Sequence, residues 1–305
     1  MLKGTSPPFV SIVVPAFNAE SYIKDCLISI LQTHYPPERR EILVVDNGST
    51  DRTAEIIKSL PARYFLETQR GVSFVRNKGI KASGGEIVAF TDADCMVSKG
   101  WLRELIQGFD EKEVGGVAGE IVAYLPQTPA ERYAARVRHL SPQKYLSRPQ
   151  LPFAVFANLA FRREVFDRVG LLDEAFLSAG ESTDFCTRFL RETGLKLKYV
   201  PKAVVFHRHR RTARQFFKQQ WNYGRSHALL YIKYRQEIPW GWRQSVSAYR
   251  DLARSAWTLA KSGLHVHQWR QEKEEIYFHY FEFLKKLAER LGFIRESIAR
   301  GYLYL

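Results

Sequence analysis

The sequence predicts an α/β fold: a doubly wound, mostly parallel sheet followed by a C-terminal helical extension. Three observations carry this. Across residues 9–97, β-prone apolar runs alternate with segments of helical spacing, the pattern of successive βα units. The strands so marked end at Pro15, Asp46 and Asp94, chain-breaking or charged residues that alternation assigns to one sheet edge. From Thr212 onward the apolar spacing is helical.

In chain order, residues 9–15 read as a strand closed by Pro15. Asn18 is placed to cap the next helix, whose Ile23, Leu27, Ile30 and Leu31 share one face. Pro36-Pro37 breaks the chain before a second buried strand, residues 41–46. Asn47-Gly48-Ser49-Thr50 turns into a helix over 51–59, with Asp51 in its first turn. A short strand near 64–66 precedes a helix from Gly71 to about Ser83, ended by Gly84-Gly85. Residues 86–90 are a third buried strand that stops at Asp92-Ala93-Asp94.

The middle is less periodic. A helix is expected over 101–109 and a strand over 114–124, with Gly115-Gly116 and Gly119 inside it. Residues 126–149, rich in Arg, Tyr and Pro, read as a functional loop or a surface excursion. A strand over 153–161, a helix over 163–169 and a helix from Gly180 to Thr193 follow, the last with Phe185, Phe189 and Leu190 inward. Strands at 196–200 and 203–206 lead to His207. Helices near 212–235, 242–261 and 267–299 are broken at Pro239 and Ser262-Gly263.

The 305 residues suit one large domain or one domain with an appended module. Of the net charge of +14, +12 falls in residues 201–305, with five of the six Trp. A near-neutral body therefore precedes a basic, aromatic-rich tail. No apolar run reaches the length of about 18 residues that marks a spanning helix, and Met1 to Pro8 show no signal-peptide core. Cys26, Cys95 and Cys186 fit neither a disulfide framework nor a zinc site and point to a reducing compartment. A cytoplasmic protein, peripheral on the inner face of the cell membrane if its tail binds there, is the expectation.

Two carboxylates at the tip of an interior strand need a counter-charge. Asp92 and Asp94 alternate along an extended segment, so both can face a divalent cation and a phosphate. Capping the helix that starts near Ser98 is the competing role. Asp46 is a further carboxylate on the same edge, and three polar endings on one edge favour a binding site over independent caps.

In this order the motifs resemble family 2 glycosyltransferases with the GT-A fold. The match runs through Ser11-Ile12-Val13-Val14-Pro15-Ala16-Phe17-Asn18 and Val44-Val45-Asp46-Asn47-Gly48-Ser49-Thr50-Asp51. It continues with Gly71 to Gly79, including Arg76-Asn77, then Thr91-Asp92-Ala93-Asp94, Asn158 to Arg163 and Val169 to Glu174, and ends in Gly180 to Arg188. The resemblance implies a glycosyltransferase domain over 1–210, with a donor half to about residue 97 and an acceptor half after it, and a helical extension over 211–305. It implies transfer of a sugar from a nucleotide-diphosphate sugar to an acceptor hydroxyl on a glycan or lipid-linked molecule. Pro15, Phe17 and Asp46 would contact base and ribose, and Asp92 the ribose or sugar. Asp94 would bind Mg²⁺ or Mn²⁺, with His207 a second candidate ligand. Arg76 would add charge stabilisation, or lie solvated on its helix.

One departure matters. The family's acceptor block reads Gly-Glu-Asp-x-Asp, and its middle Asp is the usual base; here that position is Ser182. Glu181 is the favoured replacement, with Asp184 second. A nucleotide-sugar binder without turnover is the alternative that Ser182 raises.

In the tail, Arg214, Lys218, Arg225, Lys233 and Arg235 interleave with Phe216, Phe217, Trp221, Tyr223, Leu229, Leu230, Tyr231 and Tyr234. That mixture suits an anionic membrane surface; packing on the protein's own domain or on a second copy is the other reading. Gln219-Gln220-Trp221 lacks the Arg of the motif that marks processive synthases, so single addition fits better. A nucleotidyltransferase is disfavoured because no glycine-rich loop follows the first strand, and a nucleic-acid binder because no binding module is recognisable.

Overall fold

The computed structural model describes residues 6–238, 242–264 and 270–302. The chain opens with β1 (Val10–Ala16), α1 (Ile23–Leu31), β2 (Arg40–Asp46), α2 (Thr53–Lys58), β3 (Arg63–Leu66), α3 (Val72–Ala82) and β4 (Ile87–Thr91). Then come β5 (Cys95–Val97), α4 (Trp101–Gln107), β6 (Val114–Ala123), α5 (Pro129–Arg136), α6 (Pro142–Leu146), β7 (Asn158–Arg162), α7 (Arg163–Val169), α8 (Glu181–Thr193) and β8 (Lys196–His207). Three helices finish it: α9 (Ala213–Lys233), α10 (Trp242–Leu264) and α11 (Arg270–Ala299).

Among the described residues the strands form one sheet in the order β3-β2-β1-β4-β7-β6-β8-β5. The βα units make β3, β2, β1 and β4 parallel, while β7 runs antiparallel to β4 and β6, and β5 antiparallel to β8. The expected doubly wound α/β fold is present. Alternation explains its two-sided core: Val10, Ile12 and Val14 of β1 join one apolar cluster with Ala89 of β4. Val13 joins the other with Val88 and Phe90. Strands buried on both faces carry the near-continuous apolar runs that mark interior positions of a parallel sheet.

Several local expectations are corrected. Pro15 lies inside β1, opposite Val45, and Ala16 extends the register to Asp46. Asn18 does not cap α1. It adopts a φ of 48°, and its Oδ1 accepts from Thr50 N–H, tying two loops together. Residues 153–157 are not strand, and 196–207 form one continuous strand rather than two. Residues 126–149 contain α5 and α6; α5 begins with a capping box between Thr128 and Glu131.

The described residues fall into two compact units. One lies within Met1–Val122, Leu140–Leu177 and Glu181–His207, and the other within Ala123–His139, Ser178–Gly180 and Arg208–Leu305. In the second unit α11 packs against α9, α10 and α5. Ala130 and Tyr133 of α5 join Phe216 of α9 and Phe281 of α11 in its apolar cluster. Phe216 of α9 is buried, while its Phe217, Trp221, Tyr223 and Tyr231 are half-buried. Pro239, Trp240 and Trp269 lie outside the described residues. The helix expected to break at Ser262-Gly263 runs to Leu264.

Candidate active site

Strand β1 is flanked by β2 and by β4, so sheet growth reverses at β1. In an open α/β sheet, that reversal opens a crevice at the C-terminal strand ends. Asp46 ends β2 there and is buried. Its Oδ1 accepts from Ser49 N–H at 2.9 Å and Ser49 Oγ at 2.6 Å, and its Oδ2 accepts from Tyr64 OH at 3.1 Å. Burial, reinforced by the Asp46 carboxylate, pushes the Tyr64 phenol above its ordinary value, which keeps it a donor to Asp46. Asp46 is thereby fixed in orientation. Phe17, just past β1, is 48 % exposed, and the Arg70 guanidinium stacks over its ring at 4.6 Å. Pro15 is half-buried beside it.

Asp92 and Asp94 do not lie on an extended segment. Asp92-Ala93-Asp94 is a turn closed by Cys95 N–H donating to Asp92 O at 3.0 Å, and it sends the two carboxylates to different partners. Asp92 meets Arg76 of α3. Gly79, one turn further along α3, lets the helix press on β1, where an added Cβ would stand 2.3 Å from Val13 Cγ1. Arg76 is consequently 3 % exposed, so the solvated alternative does not hold. It donates from Nη2 to Asp92 Oδ1 and from Nη1 to Glu181 Oε1, both at 2.7 Å, and lies 5.0 Å from the Phe156 ring centroid.

Glu181 opens α8 and is itself buried. Ser182 Oγ donates to its Oε1 at 3.1 Å, while its Oε2 is buried without a hydrogen-bond partner among the described residues. Asp184 is fully buried and pairs with Arg188 Nε at 3.0 Å; Arg188 also donates to the carbonyls of Val169 and Leu171. The segment before α8 is pinned to α3. Asn77 makes two bonds with the Leu172 backbone, and Ser73 Oγ donates to Phe176 O. Of this scaffold, Asn77, Leu172, Asp184 and Arg188 lie in the sequence motifs, and Phe176 does not.

Asp94 meets β8. Antiparallel pairing sets Cys95 opposite His207, and His207 Nε2 lies 3.5 Å from Asp94 Oδ1. Ligand atoms of Asp94, Cys95 and His207 all fall within 4.8 Å of one another. Burial, reinforced by Asp94 and Asp92, pushes the Cys95 thiol well up, which disfavours the thiolate form that binds a metal. A carboxylate oxygen and an imidazole nitrogen remain. Adjacent ligands about 2.1 Å from one octahedral ion stand about 3 Å apart, so this pair fits a divalent cation.

Residues 11–170, just over half of the chain, match the family model described as glycosyl transferase family 2. Glycosyltransferase AglE of Haloferax volcanii is 29 % identical over 236 residues, covering 74 % of this chain and 75 % of that protein. A dolichyl N-acetyl-alpha-D-glucosaminyl phosphate 3-beta-D-2,3-diacetamido-2,3-dideoxy-beta-D-glucuronosyltransferase of Methanococcus voltae is 27 % identical over 250 residues, covering 76 % and 77 %. Among solved structures, a mannosyltransferase from Pyrobaculum calidifontis in complex with GDP-Man and Mn²⁺ aligns with a TM-score of 0.64 at 20 % identity. That alignment covers 94 % of this chain and 88 % of the other. S. aureus TarS residues 1–349 with UDP-GlcNAc aligns at 0.55 and 17 % identity, covering 97 % and 93 %.

Proposed function

The chain belongs to glycosyl transferase family 2, and on that footing we propose that it transfers single sugars from a nucleotide-diphosphate sugar to an acceptor hydroxyl, with inversion. The observation that carries the reading is the Asp92–Arg76–Glu181 bridge standing beside the Asp94–His207 pair at the sheet's switch point. The nucleotide sugars bound by the two solved relatives support the donor class. Pro15, Phe17 and the fixed Asp46 take the base and ribose, and Asp92 takes the ribose or sugar. Asp94 and His207 would hold Mg²⁺ or Mn²⁺, which supplies charge neutralisation at the leaving diphosphate.

Glu181 serves as the base. With Oε1 held by Arg76, Oε2 is the oxygen left to accept the hydroxyl proton. As the acceptor oxygen bonds to the anomeric carbon, the bond to the diphosphate breaks and the proton passes to Oε2. Arg76 holds the carboxylate in place. Asp184, locked onto Arg188, anchors the start of α8. For residues 211–305 we favour an anionic membrane over a second copy as the partner, with a glycan or lipid-linked acceptor.

The test is thermal unfolding with UDP, GDP, dTDP and CMP, each with and without Mn²⁺. A nucleotide at about 100 times its dissociation constant should add about 2.7 kcal/mol. Asp94→Asn should abolish the metal-dependent part. Glu181→Gln should keep donor stabilisation and lose transfer. Donor binding without transfer in the wild type would instead select the binder that Ser182 raises.

A further inference from the structure

The second unit contains a buried cation that the transfer chemistry does not use. Arg290 of α11 is 7 % exposed and lies under two rings, Tyr249 of α10 at 4.2 Å and Phe293 at 5.6 Å. Its Nε and Nη2 are both buried without a hydrogen-bond partner among the described residues. These two N–H groups form one edge of the guanidinium, the fork that grips a carboxylate or phosphate with two parallel bonds. Arginine cannot shed its proton, and a buried unpaired charge is unfavourable, so this fork calls for an oxyanion. Glu296, further along α11, is engaged by Arg225 and Arg300.

The covering helix says where that oxyanion comes from. At 100° per residue, Arg243, Arg250, Arg254 and Lys261 fall along one line of α10, and all are exposed. Val246 (52 % exposed) and Trp257 (63 %) lie beside the line on one side, and Tyr249 (43 %) lies about 120° round from it on that same side. Lys261 Nζ stands 5.0 Å from the Trp257 ring. Asp251, the one acid in this helix, is half-buried on the other flank. Cations beside an exposed Trp complement the headgroup layer of an anionic membrane.

We propose that α10 lies on an anionic lipid surface and that the Arg290 fork binds the phosphate of a lipid headgroup, with Tyr249 as the ring beside it. This deepens the membrane reading above and is independent of the transferase reading.

The experiment is flotation of the full chain with phosphatidylcholine vesicles at physiological salt. The vesicles contain either phosphatidic acid, a terminal phosphomonoester, or phosphatidylglycerol, a diester, at matched surface charge. Wild type should bind the phosphatidic acid vesicles about tenfold more tightly, the phosphomonoester being the better bidentate acceptor. Arg290→Lys keeps the charge without the fork and should erase that preference while retaining binding to phosphatidylglycerol. Trp257→Ala with Arg254→Gln should weaken both. Glycerol 3-phosphate should compete against the phosphatidic acid vesicles alone, which tests the fork in the wild type should Arg290→Lys fold poorly. No preference in the wild type, or a preference that survives in Arg290→Lys, overturns the headgroup site. Stabilisation of wild type by inorganic phosphate without any vesicle preference would assign the fork to soluble phosphate and overturn the lipid source. Absence of binding to either vesicle overturns the membrane reading as well, leaving nucleotide-dependent stabilisation untouched.

Discussion

Arg76 joins two carboxylates that serve different substrates of the proposed reaction. Asp92 follows β4 on the proposed donor side, and Glu181 opens the helix proposed to face the acceptor. One buried guanidinium fixes both at 2.7 Å. Removing it leaves two carboxylates facing each other in a partly dry site, so Arg76→Met should destabilise by about 3–5 kcal/mol in urea unfolding. Arg76→Lys keeps one charge but cannot hold both oxygens in the same geometry. It should fold with a smaller loss, and its transfer rate should fall further than its donor binding. Equal losses in rate and donor binding would show Arg76 acting only through stability. The motif Arg76-Asn77 was visible in the sequence, yet a surface helix Arg was an equally valid reading. Gly79 decides between them, because contact of α3 with Val13 carries Arg76 inward.

At the scale of elements, α9 and α11 approach so closely that each lends the other a glycine. A Cβ at Gly224 would stand 2.0 Å from Glu289 O, and one at Gly292 would stand 2.1 Å from Trp221 O. Backbone cannot yield as a flexible side chain does. Gly224→Ala should therefore cost about 1–3 kcal/mol despite the better helix propensity of Ala, and Gly292→Ala a similar amount. Chemical denaturation of each variant checks this, and an unchanged midpoint would mean the helices separate at no cost. Helical periodicity located α9 and α11 to within a few residues, since each buries an apolar stripe. It did not mark the glycines as contact points, because a single Gly in a helix reads as a weakness until its partner backbone is known. Nor did it find α5, whose eight residues are too short to show a period and are held by their capping box and by Phe216 and Phe281.

For the whole molecule, acid should be the weak side. Burial alone would raise Glu41, Glu282 and Glu296, yet hydrogen bonds from Ser11 and Arg63, from Tyr133, and from Arg225 and Arg300 outweigh it and hold all three below the ordinary 4.5. A carboxyl with a lower pKa in the folded state contributes stability above its unfolded pKa. That contribution disappears as pH falls below 4.5 through the folded values, because the unfolded chain binds the protons first. The melting temperature should therefore fall steeply below that pH. Glu296→Gln should be less stable at neutral pH and show a shallower acid slope; an unchanged slope would remove Glu296 from the account.

By itself, the sequence determined the α/β class, the strands that end at Asp46 and at Asp92-Ala93-Asp94, the order of the family's motifs and the three long C-terminal helices. These are properties of neighbouring residues: apolar period, turn chemistry and carboxylates at chain positions where an interior strand must stop. Tertiary structure decided which of those residues meet. The pairing of β5 with β8 brings His207 to Asp94 across more than a hundred residues, and β5 is too short to announce itself. Close packing at Gly79 chose the partners of Arg76, and helix contact buried the Arg290 fork. Each is a long-range contact set by strand order or by the fit of one backbone against another, and no local pattern in the chain encodes either.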